Sequence, residues 1–176
     1  MPRQFLPRIW LMTDARNDAV LERAITRLPR GSGVVFRHYH LAEEARRQRF
    51  SEISAIARAH GHAVVLSGPA SLAVRWKADG TYGTPDMLGG SDGLLTLATA
   101  HNRSELRAAA RAGADAAFLS PVFSTRSHPN GTSLGPARFR LLARHAGLPV
   151  IALGGMTRMR ARLLGHPHWA AIDGLS

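Results

Sequence analysis

Short apolar runs rich in Val, Ile, Leu and Ala recur along the chain, and each is followed by a polar stretch carrying Ala, Arg and Leu. That is the pattern of strand alternating with helix. It predicts strands over 9–13, 33–40, 63–67, 80–83, 93–100, 116–123, 149–154 and 170–174, with helices over 17–28, 42–60, 103–112, 136–146 and 157–164. Gly61, Gly113 and Gly147 each stand just past a predicted helix, where a left-handed residue stops it. Right-handed crossovers joining eight parallel strands close most naturally into a (β/α)8 barrel, with an open doubly wound sheet as the alternative.

The length of 176 residues fits one domain, so residues 1–176 are read as a single compact barrel. It is short for this fold, for which about 200 residues is a usual lower limit. The sequence stops at Ser176, directly after the eighth strand, so the final helix is expected to be lacking. The flank it would cover, Trp169-Ala170-Ala171-Ile172, is apolar on both faces and calls for another cover. Either Phe5, Leu6 and their neighbours fold over it, or a second subunit does, which makes a homo-oligomer the expectation.

Composition narrows the function classes. Hydrophobic residues make up 45% of the chain, which excludes a disordered protein, and no apolar run approaches the roughly 20 residues of a membrane span. The N-terminus lacks the basic start and long apolar stretch of a signal peptide, so a cytoplasmic location is expected. With no cysteine, the chain has no disulfides, thiolate nucleophile or cysteine-type zinc site. The formal charge is +11, and every Lys or Arg except Lys77 is arginine. Guanidinium forks suit phosphate. Because the arginines are scattered through the helices with few aromatics between them, a solvated surface and anionic small substrates fit better than nucleic acid.

In a barrel, chemistry belongs at the C-terminal ends of the strands. The seventh strand runs into Gly154-Gly155-Met156, with Thr157 placed to cap the following helix, and the eighth ends in Asp173-Gly174-Leu175-Ser176. Paired glycines let backbone N–H groups approach an anion, and these two strand ends are the usual phosphate site of the architecture. After the sixth strand, Ser124-Thr125-Arg126-Ser127-His128-Pro129-Asn130-Gly131 carries three hydroxyls, a guanidinium and an imidazole, a set able to wrap a polyanion. Three His-x-His pairs, His38 with His40, His60 with His62 and His166 with His168, raise the question of zinc. Strand alternation turns the first pair away from Arg37 toward the helices, and no third ligand converges on any of them.

These residues resemble the family of thiamine phosphate synthase and thiazole tautomerase. The resemblance is carried by Trp10-Leu11-Met12-Thr13-Asp14, by Thr99-Ala100-His101 with Glu105, and by Gly113-Ala114-Asp115 leading into Ser120-Pro121-Val122-Phe123-Ser124-Thr125-Arg126-Ser127-His128. Pro149-Val150-Ile151-Ala152-Leu153-Gly154-Gly155-Met156 completes it. It implies a (β/α)8 barrel and, for the synthase, a transferase of thiamine biosynthesis. That enzyme couples an aminopyrimidine diphosphate to a thiazole phosphate and releases diphosphate with the help of magnesium. A thiazole tautomerase-like isomerase and a non-catalytic binder of thiazole or thiamine phosphate are the alternatives.

The resemblance implies contacts from Thr99, Thr125 and Ser127 to the diphosphate or the thiazole phosphate, and from Gly154, Gly155, Gly174 and Ser176 to the thiazole phosphate. The chain also departs from the family. Where the synthase has Gln, Arg and Lys at alternate positions of the second strand, this sequence has Val35, Arg37 and Tyr39. The Asn-Asp after the third strand becomes Ser67-Gly68, and a second metal carboxylate matches Asp86 only with a shift. The lysine of the sixth-strand loop becomes His128, and the tautomerase histidine aligns with Pro121. Arg37 and His128 are thus the catalytic candidates, and Asp86 is the one metal candidate, a thin ligand set for magnesium.

Overall fold

The computed structural model describes residues 6–89, 93–125 and 132–175. Eight parallel strands, β1 (Ile9–Met12), β2 (Gly33–Phe36), β3 (Ala63–Ser67), β4 (Gly80–Gly83), β5 (Leu95–Ala100), β6 (Ala116–Leu119), β7 (Val150–Ala152) and β8 (Trp169–Ala171), form a closed barrel in chain order. Closure is made by β1 pairing β8, with Trp10 beside Ala170 and Leu11 beside Ala171. The helices are α1 (Leu21–Thr26), α2 (Glu43–Ala59), α3 (Ala70–Arg75), α4 (Arg103–Arg111), α5 (Gly135–Arg144) and α6 (Arg158–Leu164). Gly61, Gly113 and Gly147 adopt the left-handed φ expected of helix stops.

Strand alternation sorts the apolar residues into two cores. Trp10, Met12, Val35, Val65, Tyr82, Leu97, Phe118 and Ile151 point inward and fill the barrel, while Leu11, Val34, Phe36, Leu66, Ala98, Leu119 and Trp169 pack outward against helices. Large and small residues are matched inside. Trp10 lies over Gly33, where a Cβ would stand 2.7 Å from Trp10 Cδ2, and its ring meets Phe118 edge-on at 5.9 Å. Tyr82, buried and edge-on to Phe118 at 5.1 Å, has its phenol pKa pushed up by burial and forms the floor beneath the mouth.

Several boundaries differ from the sequence expectation. The second strand stops at Phe36 because His38 turns to φ +38°, which ends the extended backbone, and the sixth stops at Leu119 just before Pro121. The first helix opens with a 3-10 stretch, Ala15–Val20, and α3 was not foreseen because its six residues are too few to show a period. The flank at β8 is not bare. Trp169 and Ala171 are 6% and 3% exposed, and Leu175, in the 3-10 turn Asp173–Leu175, joins their core. Leu6 packs on the inner core at the floor of the barrel instead of on that flank, and Phe5 lies outside the described residues. These residues are thus covered within the chain itself. No helix among the described residues is long and apolar enough to cross a membrane.

Three histidines sit in the outer core. His38 Nε2 lies 2.9 Å from Asp18 Oδ1 and Nδ1 lies 2.7 Å from Thr13 Oγ1, His62 Nε2 approaches the Ile25 carbonyl, and His166 Nε2 approaches the Val150 carbonyl. Burial pushes all three pKa values below the ordinary imidazole range, against the opposing pull of these oxygen partners. The unfolded chain then binds protons first as the pH falls below about 6.5, so stability is full above that pH and is lost through the folded-state pKa values. Denaturation midpoints are expected to fall between about pH 8 and about pH 5.5. Equal midpoints at the two pH values would show that these imidazoles carry no such linkage.

Candidate functional site

The period of two that fills the barrel also builds its mouth. Moving two residues on from the inner core residues Val35, Leu97, Phe118, Ile151 and Ala170 gives Arg37, Thr99, Ser120, Leu153 and Ile172. All five line one cavity of about 550 Å3 at the C-terminal end of the strands. Tyr39, His101, Ser124, Thr125, Gly154, Gly155, Thr157, Arg160, Asp173 and Gly174 are also among its walls, with Arg16 at the rim.

Of the expected site residues, Arg37, Thr99, Thr125, Gly154, Gly155 and Gly174 are brought together here. Ser127, His128 and Ser176 lie outside the described residues. Asp86 is not part of the cavity walls. It sits exposed on the 3-10 turn Pro85–Met87, where the Thr84 hydroxyl and a backbone N–H hold its carboxyl below the usual range, because the short turn after β4 carries it outward. His38 is buried under the helices, stacked on Phe36 at 4.7 Å, and His40 is exposed. Both are away from the cavity as expected, although the turn at His38 rather than continued strand alternation puts them there. Among the described residues no group of three or more His, Cys, Asp or Glu could hold a metal ion.

Arg37 is the best-supported cation of the site. Its backbone N–H donates to Thr13 Oγ1 at 2.9 Å, and the Thr13 hydroxyl in turn donates to Nδ1 of a neutral His38, whose Nε2–H donates to Asp18. Arg49 bonds Asp18 and Glu22, which keeps both carboxyls ionised and its own guanidinium firmly charged. From the other side Arg46 donates to the carbonyls of Arg37 and Ser67. The backbone of Arg37 is thus clamped while its side chain, 27% exposed, reaches the cavity. Among the described residues its guanidinium is ion-paired to Asp14, at 3.8 Å.

On the other wall Thr157 caps α6 by accepting the Arg160 N–H, as foreseen, and the Arg160 guanidinium lies 4.9 Å over the Phe123 ring while bonding the Gly155 carbonyl. Arg16 was missed by sequence reading, as were Arg160, His101 and Asp173 as cavity residues. Arg160 carried a usable signal, three residues after the cap of the helix that follows Gly154-Gly155. Arg16 carried none, since only the 3-10 stretch after β1 returns it to the rim.

The described donors at this mouth do not fit magnesium, which takes a near-octahedral oxygen shell built on one or two carboxylates plus phosphate oxygens. Asp14 and Asp173 are both engaged by Arg16, at 2.9 and 3.5 Å. Burial opposes the ionisation of Asp14, but hydrogen bonds from Arg16 and the charges of Arg16 and Arg37 hold its carboxyl below the usual range. At the Ser67-Gly68 position the Ser67 hydroxyl is bonded to the Tyr39 hydroxyl and to the Tyr82 carbonyl.

The chain matches the thiamine monophosphate synthase family over residues 9–168. It is 29% identical over 170 residues to a thiamine-phosphate synthase of Chloroflexus aurantiacus, covering 88% of this chain and 76% of that one. A putative thiamine-phosphate synthase 2 of Aquifex aeolicus is 26% identical over 161 residues, with 86% and 87% covered. Among solved structures, a thiamine phosphate pyrophosphorylase from Pyrococcus furiosus superposes with a TM-score of 0.78 at 18% identity, over 94% of this chain and 85% of that one. At that identity the likeness speaks for the fold.

Proposed function

Since the chain belongs to the thiamine monophosphate synthase family, we propose that it works as a thiamine phosphate synthase-like transferase, joining an aminopyrimidine diphosphate to a thiazole phosphate. One observation carries this reading. A single cavity brings together the glycine turns at Gly154-Gly155 and Gly174, the cation Arg37 and the neutral hydroxyls of Thr99, Ser120 and Thr125, groups suited to holding two anions.

The reaction suits such a cavity because the protein has little covalent chemistry to perform. The bond from the pyrimidine methylene to the diphosphate oxygen breaks, the electron pair leaves with diphosphate, and the ring amine stabilises the methylene cation. The thiazole nitrogen lone pair then closes the new C–N bond, and no proton moves. Catalysis reduces to holding the leaving diphosphate, neutralising it and placing the nitrogen nearby. In this reading Arg37 takes the diphosphate, Thr99 and Thr125 donate to phosphate oxygens, and backbone N–H groups at Gly155 and Gly174 hold the thiazole phosphate. Magnesium, when bound in this family, supplies charge neutralisation of the diphosphate.

Incubating the protein with both substrates should yield thiamine phosphate and one equivalent of diphosphate. Binding of both without product would identify a non-catalytic binder, and isomerisation of a thiazole carboxylate phosphate would identify the tautomerase. For the tautomerase, Pro121 occupies the family's histidine position. The imidazole that lines the cavity among described residues, His101, is tied to Glu105 at 2.9 Å.

A further inference from the structure

We infer that this cavity neutralises its anionic substrate with guanidinium groups, Arg37 together with Arg16 and Arg160, so that diphosphate binds here without magnesium. The inference rests on the cavity being a phosphorylated-substrate site, and it departs from what the family resemblance implies about metal.

The argument is one of charge and of donors already committed. Among described residues the cavity is lined by three guanidiniums, Arg16, Arg37 and Arg160, and by one carboxylate, Asp173. Asp173 and the nearby Asp14 are both ion-paired to Arg16, so a magnesium ion reaching either would compete with that guanidinium. Asp86 is exposed on a turn outside the cavity walls. The corner at Ser67 is closed by Tyr39, whose hydroxyl bonds Ser67 and whose ring has Arg46 at 5.4 Å behind it.

The guanidinium of Arg37 is ion-paired to Asp14 at 3.8 Å, beyond hydrogen-bond distance, and shares the cavity with Tyr39 at 5.6 Å from the ring. Its planar fork is therefore available for two phosphate oxygens, a geometry in which charge-assisted bonds are strongest. Arg160 is held flat against Phe123 next to the Gly154-Gly155 turn, and Arg16 is braced at the rim by Asp14 and Asp173. The two outer arginines are pre-oriented by contacts that cost little to keep when the anion arrives.

The test is calorimetric titration of the full chain with inorganic diphosphate and with inorganic phosphate, in EDTA and in excess magnesium. Diphosphate is expected to bind in EDTA, no more weakly than in magnesium, and its affinity should fall as salt rises. Arg37→Gln should weaken it by about tenfold or more and Arg160→Gln by about threefold or more, consistent with the loss of charge-assisted bonds. Arg47→Gln, on the exposed outer face of α2, should leave it unchanged and so separates site contacts from overall charge. Tenfold tightening by magnesium, unaltered affinity in Arg37→Gln with its fold intact by circular dichroism, or no binding of diphosphate in EDTA would each overturn the inference. The synthase reading fails separately. Metal-free diphosphate binding without product from the two substrates would sink that reading and keep this one, whereas product made with magnesium together with no diphosphate binding in EDTA would do the reverse.

Discussion

Gly155→Val is expected to lower affinity for thiazole phosphate by about a hundredfold or more, because the turn that presents the backbone N–H groups cannot hold a side chain. Gly155 adopts φ +59°, a left-handed conformation that is strained for a β-branched residue. A Cβ there would fall within the van der Waals shell of the Ser124 carbonyl oxygen and stand 3.0 Å from both Arg160 Nη1 and Phe123 Cβ. The new side chain must therefore displace the sixth-strand loop, Arg160, or the turn itself, and all three line the cavity or support it. Backbone strain and overpacking would also cost about 1 to 3 kcal/mol of stability. Gly147→Val separates the two effects. Gly147 has φ +75° and nothing within 4 Å of its Cβ position, and it stands behind α5, away from the cavity. That variant should carry the strain and keep the affinity. Thiazole phosphate binding by Gly155→Val at the level of the parent protein would remove the seventh-strand turn from the phosphate site.

Trp10→Ala is expected to be the most damaging single truncation for stability, at about 3 to 5 kcal/mol. The indole is fully buried at the inner floor, where its Nε1–H donates to the Pro7 carbonyl at 2.9 Å and its ring braces Phe118. Removing it empties the space left for it by Gly33 and leaves the Pro7 carbonyl without that donor. Because Gly33 and Trp10 are matched in volume, Gly33→Val should be severe in the parent protein and far milder when combined with Trp10→Ala. Urea denaturation of the four proteins measures the coupling. Additive effects, or a cost of Trp10→Ala below about 1 kcal/mol, would show that the floor is not packed in this way.

The eight strands and the barrel were legible in the chain because strand burial is written locally, as apolar runs bounded by glycine and polar residues. The runs ending at Met12, Ser67, Gly83 and Ala100 were placed within a residue of their observed ends. The thiamine phosphate synthase resemblance was legible for a related reason, since its motifs are contiguous stretches at strand ends, and it anticipated Arg37, Thr99, Thr125, Gly154, Gly155 and Gly174 at one mouth. The outward placement of His38 was foreseen as well, but from an alternation that the backbone breaks at that residue. Hidden from the sequence were relations between residues far apart along it. Arg16 meets Asp173 across 157 positions, Arg49 holds Asp18 across 31, and Thr13 carries the Arg37 backbone across 24. The place of Asp86 outside the cavity walls was hidden too, because a match to a pattern of residue types says nothing about which way a short 3-10 turn carries a side chain. Leu6 went to the barrel floor, and Trp169 was already covered by the outer core. Local periodicity fixes which face of a strand is buried, whereas the partner of a charge or the cover of a flank depends on closure of the whole barrel, which only the tertiary structure decides.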